Sequence, residues 1–283
     1  MKYAVLIMTY TSPRQTQRLI HSLNNGEFDF YVHLDKKVDI ETHREIMDMP
    51  NVFFVDDRVD IKWAGYTLVE AILNGLRYID ATGKKYDFIN LISGQDYPLK
   101  PAAYISDFLK QNVGKEFMLF RDFELDWTEA QSRVDRYHFT DFSFTGRHKA
   151  EQIVNSITPK RKFPLDMKLY GQETFWTLSQ DCAMYVTRFL DSNPKLGKFL
   201  KLTWGSDEFI FQTIIMNSPF SANVVNNHYR YINWPEPGAD RPNIFVAADF
   251  DRIMATDCIF GRKFDINIDE NILNLLDKAN SVN

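Results

Sequence analysis

The chain begins with an unbroken apolar run from Tyr3 to Thr9. A run without alternation predicts a strand buried on both faces, as in a parallel sheet. Thr11-Ser12-Pro13 then carries turn and helix-start signals. Leu19, Ile20 and Leu23 follow at helical spacing, ending near Asn25-Gly26. Phe30 to Leu34 predicts a second strand closed by Asp35-Lys36-Lys37, Ile40 to Met47 a helix, and Val52 to Val55 a third strand. Leu68 to Tyr78 predicts an amphipathic helix with Leu68, Ile72, Leu76 and Ile79 on one side. Phe88 to Ile92 predicts a fourth strand, stopped by Ser93-Gly94. Strand and helix alternate, which implies a doubly wound, mostly parallel α/β sheet. Such sheets bind ligands outside the carboxyl ends of their strands, so Thr9, Asp35 and Ser93 through Asp96 are the positions to watch.

The pattern changes from residue 121 to 168. Charges and aromatics mix there without a period, and Arg133, Arg136, Arg147, Lys149, Lys160, Arg161, Lys162 and Lys168 outnumber the local acids. This reads as a long, mobile excursion with some helix. Its basic side is open to two readings, a solvated face or a surface that meets an anionic acceptor. Periodicity returns with a strand at Thr174 to Leu178 and a helix at Asp181 to Leu190. Ser206-Asp207-Glu208 predicts the start of a helix running through Ile215, with Ser206 as N-cap. Asn233 to Asn243, punctuated by prolines, reads as a loop, followed by helices at Ala248 to Ala255 and Glu270 to Ala279. No linker is visible, so a single domain over 1–283 is expected. Its first half (1–100) would bind nucleotide, 121–168 would be a variable insertion, and 170–283 would hold the acceptor and catalytic half.

Composition narrows the function classes. The chain has 283 residues, 45 % of them hydrophobic, which allows one sizeable core. A net charge of −5 disfavours a nucleic-acid binder. Two cysteines, Cys182 and Cys258, make neither a disulfide framework nor a metal pattern and suit a reducing compartment. No run approaches the roughly eighteen apolar residues of a membrane span, and the first residues lack the features of a signal peptide. The expectation is a cytoplasmic protein with at most peripheral membrane contact.

Phosphate-binding glycine loops, zinc-peptidase motifs and nucleophile elbows are missing. The one Asp-x-Asp triplet, Asp249-Phe250-Asp251, opens a predicted helix and reads as capping rather than as a metal clamp. Glu208 admits two readings. Beside Trp204 and partly shielded from water, it suits a general base. In the first turn of a helix, it also suits an acid placed by the helix dipole. Arg241, Arg262 and Lys263 are cations able to face a diphosphate. Tyr229, Tyr231 and Trp234 form an aromatic group, with Tyr229 and Tyr231 on one side of a strand, suited equally to sugar stacking and to core packing.

Taken in order, these segments resemble the core-2/I-branching β-1,6-N-acetylglucosaminyltransferases, a family that includes the peptide xylosyltransferases. The resemblance rests on Ala4-Val5-Leu6-Ile7, on Tyr31-Val32-His33-Leu34-Asp35-Lys36-Lys37 and on Lys62-Trp63-Ala64-Gly65-Tyr66. It is most specific over Phe88-Ile89-Asn90-Leu91-Ile92-Ser93-Gly94-Gln95-Asp96-Tyr97-Pro98-Leu99-Lys100. Phe175-Trp176-Thr177-Leu178-Ser179, Ser206-Asp207-Glu208, Tyr229-Arg230-Tyr231-Ile232-Asn233-Trp234 and Gly261-Arg262-Lys263-Phe264-Asp265 complete it.

The resemblance implies a GT-A-type, Rossmann-like fold with an elaborated C-terminal half. It implies an inverting transfer from a UDP-sugar, N-acetylglucosamine foremost, that needs no metal and no other cofactor. Glu208 would be the base, and Arg241 and Lys263, with Arg262 beside them, would hold the diphosphate. Val5 or a neighbour, Asp35 and Trp63 would line the uridine site, and Glu173, Asp96, Tyr229 and Tyr231 would face the sugar or acceptor. The animal members are membrane-anchored and disulfide-bonded, so this chain looks like a bacterial relative. Its acceptor would be a glycan or lipid-linked sugar in surface polysaccharide synthesis. Two rivals predict different behaviour. A non-catalytic carbohydrate-binding protein would need neither Glu208 nor the cations, and a metal-dependent nucleotidyltransferase would need a metal carboxylate pair near a strand end.

Overall fold

The computed structural model describes every residue except Thr11, Pro237, Gly238, Asp240, Val282 and Asn283. In chain order the elements are β1 (Tyr3–Thr9), α1 (Pro13–Leu23), β2 (Phe28–Leu34), α2 (Arg44–Met47), β3 (Val52–Phe54), α3 (Tyr66–Ala81), β4 (Phe88–Ser93), β5 (Asp96–Pro98) and α4 (Ala102–Gln111). They continue with β6 (Glu116–Asp122), α5 (Gln131–Asp135), α6 (Arg147–Ile157), β7 (Tyr170–Leu178), α7 (Gln180–Ser192), α8 (Pro194–Leu200) and α9 (Ile210–Met216). The last are β8 (Val224–Asn226), β9 (Arg230–Ile232), α10 (Phe250–Met254), β10 (Phe260–Arg262) and α11 (Glu270–Ser281).

Contacts divide the chain into two compact units, each assembled from separate stretches of sequence. Unit 1 comprises Met1–Phe54, Lys85–Val113 and His228–Asn283, and unit 2 comprises Val55–Lys84 and Gly114–Asn227. In unit 1, β3, β2, β1 and β4 lie side by side in that order, all parallel. Every residue of β1 and β2 is buried, including Asp29 and His33, which interrupt the apolar run of β2. A smaller sheet places β10 antiparallel to β5 and parallel to β9. The amide of Gln15 on α1 donates to the carbonyls of Gly94 and Phe264, and its oxygen accepts from the Ile266 amide. One buried side chain thus ties the end of β4 to the segment after β10.

In unit 2, β7 pairs antiparallel with β6, and β6 pairs parallel with β8. Buried Glu116 of β6 accepts from the Ser179 amide and hydroxyl at 2.8 and 2.6 Å, and Ser179 in turn caps α7. Asp141, from the stretch expected to be an excursion, receives the Tyr66 amide at 3.1 Å and so caps α3 from a distance. The expected helix from Ser206 to Ile215 is broken in two. Ser206–Glu208 is one 3-10 turn, Phe209 leaves helical geometry, and α9 starts at Ile210. Ser206 is not the cap. That position belongs to Gly205, and the Ser206 hydroxyl is buried with no hydrogen-bond partner among the described residues.

Candidate active site

Glu208 stands at the end of that 3-10 turn, and its geometry depends on two glycines. Gly205 adopts φ 61°, a left-handed conformation that costs any other residue about 1–2 kcal/mol. A Cβ there would lie 2.9 Å from Arg133 Nη1. A Cβ on Gly171 of β7 would lie 2.7 Å from the Glu208 carbonyl oxygen, so the bare strand lets the turn approach. The Gly205 amide donates to the Ala64 carbonyl at 2.8 Å, and Ala64 itself holds a left-handed φ of 58°. Strain of this kind gathers at functional sites.

Arg133 of α5 donates to Glu208 Oε2 in a short ion pair. Its guanidinium lies 4.5 Å from the centre of the Trp127 ring and 4.3 Å from that of Trp204. The two indoles fix it in place and add cation–π attraction. Trp63 meets Trp204 edge to face at 5.5 Å and is 64 % exposed. The Glu208 side chain is 32 % exposed, and its Oε1 has no hydrogen-bond partner among the described residues. One oxygen is therefore oriented by a cation, and the other is open to take a proton. The aromatic shield expected over the carboxylate is not there: the indole of Trp204, four residues before Glu208, covers the arginine instead.

Beside Glu208, Asp207 is buried, and its Oδ2 accepts from Thr174 Oγ1 at 2.6 Å. Burial first, and the charge of Glu208 second, push its carboxyl above the ordinary range. Glu173, expected at a sugar, turns its carboxylate onto the Thr174 amide at 2.9 Å. Neither Arg133 nor Asp207 was singled out for chemistry by sequence. No local signal links an arginine in an aperiodic stretch to a glutamate 75 positions away.

Unit 1 holds the other predicted residues. Arg262 is not presented as a separate cation: its Nη1 meets Asp96 Oδ1 at 2.8 Å and also bonds Ser93 Oγ. The Ser93 amide donates to Asp96 Oδ2 at 2.8 Å. Asp96 is 1 % exposed, so it anchors Arg262 and the end of β4 from within rather than facing a sugar. Lys263, next in the chain, is half-buried, and its ammonium is held below the ordinary lysine range by burial, then by the charges of Arg262 and Arg241. Arg241 is exposed. These three residues make a cationic group suited to an anion.

Asp35 closes β2, and its two oxygens accept from the Lys37 amide and ammonium, each at 2.9 Å. Val5 requires a correction. It lies fully buried within β1, between β2 and β4, so its side chain faces core and not a nucleotide. The exposed position at the end of this strand is Tyr10. The aromatic group also separates. Tyr229 precedes β9 with φ 52° and meets Phe108 at 4.8 Å, whereas Tyr231 stacks on Phe245 at 5.5 Å. They do not share one face of a strand. Asp249 accepts from the Val246 amide at 3.0 Å and pairs with Arg252, so the Asp-x-Asp triplet caps a helix as read. Among the described residues no group of three acidic, histidine or cysteine side chains gathers as a metal site would need. No helix among them is long and apolar enough to cross a membrane.

A sequence model described as Core-2/I-Branching enzyme matches residues 3–254. Xylosyltransferase oxt of Drosophila pseudoobscura pseudoobscura is 24 % identical over 92 % of this chain and 31 % of its own length. Xylosyltransferase 2 of Rattus norvegicus is 24 % identical over 96 % and 33 %. The chain thus spans about a third of the length of these curated relatives. Among solved structures, the galactosyltransferase LgtC with donor and acceptor sugar analogues aligns over 98 % of this chain and 96 % of its own, at 9 % identity and a TM-score of 0.47. Mouse xyloside xylosyltransferase 1 aligns over 92 % and 97 %, at 12 % identity and a TM-score of 0.40.

Proposed function

This chain belongs to the Core-2/I-Branching enzyme family of glycosyltransferases, and from that premise we propose that it transfers a sugar from a UDP-sugar to a carbohydrate acceptor with inversion and without a metal ion. The observation that carries this reading is Glu208, with Oε2 held by Arg133 and Oε1 open. The acceptor hydroxyl attacks the anomeric carbon and gives its proton to Oε1. The carbon–oxygen bond to the diphosphate breaks, and its electron pair leaves on the phosphate oxygen. Arg241 and Lys263 meet that charge, and Arg262, braced by Asp96, supports them electrostatically. Exposed Trp63 offers a flat apolar face to the base or to a sugar ring.

N-acetylglucosamine is the sugar assigned by the resemblance. Xylose is a second reading, favoured by the names of the relatives. The acceptor we assign to surface polysaccharide, made by a cytoplasmic enzyme with two free thiols. The test is Glu208→Gln. Turnover should fall by roughly 10²–10⁴ with donor binding retained, and wild-type turnover should persist in EDTA. Near-normal turnover in the variant, or loss of activity in EDTA, overturns the mechanism. Parallel assays with UDP-N-acetylglucosamine and UDP-xylose separate the two donors.

A further inference from the structure

The outward face of α6 carries residues that a solvent-facing helix does not ordinarily take. Exposure follows the helical period: Ala150, Glu151, Val154 and Asn155 turn inward, while His148, Lys149, Gln152, Ile153, Ser156 and Ile157 turn outward. An outward face normally takes polar residues. Here Ile153 and Ile157, one turn apart, are 51 % and 76 % exposed. Ahead of the helix, Phe142 and Phe144 are 45 % and 51 % exposed. Both lie near the half-buried ring of Phe139, at 6.1 and 6.5 Å, so they are held in place and still presented. Two exposed apolar pairs this near in the chain mark an interaction surface.

Charge selects the partner. The chain carries a net charge of −5, yet residues 142–165 hold five Lys or Arg and one acid, Glu151. Glu151 turns inward and accepts from the Phe139 amide at 2.8 Å. Among the basic residues, Lys149 and Lys162 are exposed, whereas exposed Lys160 pairs with Asp135 at 2.5 Å. We propose that this face docks on an anionic phospholipid surface. Ile153, Ile157, Phe142 and Phe144 enter the headgroup boundary, and Lys149 and Lys162 meet the lipid phosphates. A soluble polyanion would satisfy the lysines but leave the isoleucines in water. A second copy would set like charges against each other. The proposal does not depend on the assigned chemistry.

The test is flotation of the full chain with vesicles of phosphatidylcholine containing a third phosphatidylglycerol, and with vesicles of phosphatidylcholine alone. The chain should float with the anionic vesicles only, and less so as salt rises. K149E/K162E should lower affinity roughly tenfold or more. I153S/I157S should lower it several-fold, with the melting temperature unchanged because both positions face outward. E208Q should bind vesicles as the wild type does, which separates this surface from the catalytic reading. No flotation, equal flotation with neutral vesicles, or binding that I153S/I157S leaves intact would overturn the proposal. A dimer abolished by I153S/I157S would overturn it too and assign the face to self-association.

Discussion

Arg133 holds one oxygen of Glu208 while its guanidinium lies between the rings of Trp127 and Trp204. The pair leaves the second oxygen open, so the arginine decides where the carboxylate points. Arg133→Met should leave the fold intact and lower kcat by roughly 10²-fold, the loss expected when a reacting group is misplaced by about 1 Å. The KM for the donor should change little. Arg133→Lys should recover part of kcat. Equal losses in kcat and in donor affinity would show that the residue serves binding instead.

Asp207 sets a pH dependence of stability. Its folded-state carboxyl is raised by burial and by Glu208, so the native state holds that proton more tightly than the unfolded chain does. Its contribution is full below the ordinary carboxylate range and is lost as pH rises through the folded value. Melting temperature should therefore decline from mildly acid towards neutral pH in the wild type. Asp207→Asn keeps the Thr174 bond and cannot ionise, so its profile should be flatter. Parallel profiles would place the titrating group elsewhere.

Lys263 has its charge disfavoured by burial and by Arg262 and Arg241. As pH rises through its lowered value, the ammonium is lost and a diphosphate loses a partner. Affinity for UDP, measured by calorimetry, should fall at a lower pH than an ordinary lysine would allow. Lys263→Met should bind UDP more weakly at lower pH, where the wild-type ammonium is charged, and lack that fall. A wild-type profile in the variant would remove Lys263 from the donor site.

The Arg262–Asp96 pair should weigh most on stability. Removing Arg262 leaves a buried carboxylate whose hydrogen bonds among the described residues come from Ser93. Arg262→Met should cost about 2–3 kcal/mol in urea unfolding, below the full range for buried pairs because Arg262 retains some exposure. Asp96→Asn/Arg262→Met should cost less than Arg262→Met alone.

Much of the sheet was legible in the sequence. The strands read from Tyr3, Phe30 and Phe88 are buried on both faces, and that is what a largely apolar run without alternation encodes, His33 and Asn90 being the buried polar exceptions. β6 escaped because Glu116 at its start and Arg121-Asp122 at its end confine the apolar run to residues 117–120, and the partner that satisfies Glu116, Ser179, lies far along the chain. α4 escaped because it buries only Ile105, Ser106 and Leu109. At the candidate site, Glu208 was found through an ordered series of motifs, but its partner was not. Arg133 looked like one more cation in an aperiodic stretch. Only the fold shows that two indoles hold it in place. Val5 shows the converse: a motif position names a segment, and burial of the Val5 side chain leaves the choice among its neighbours to the fold.

The interleaving of the two units bears on how the chain is made. Unit 2 is complete once residue 227 has been synthesised, but the first 54 residues belong to a unit whose remaining segment begins at His228. During translation the strands β1 and β2 emerge before all of unit 2, and unit 1 closes after it. Early strands that wait for late partners invite mispairing. Neither unit is a continuous segment, so truncation before residue 228 should leave unit 1 dependent on chaperones, whatever becomes of unit 2.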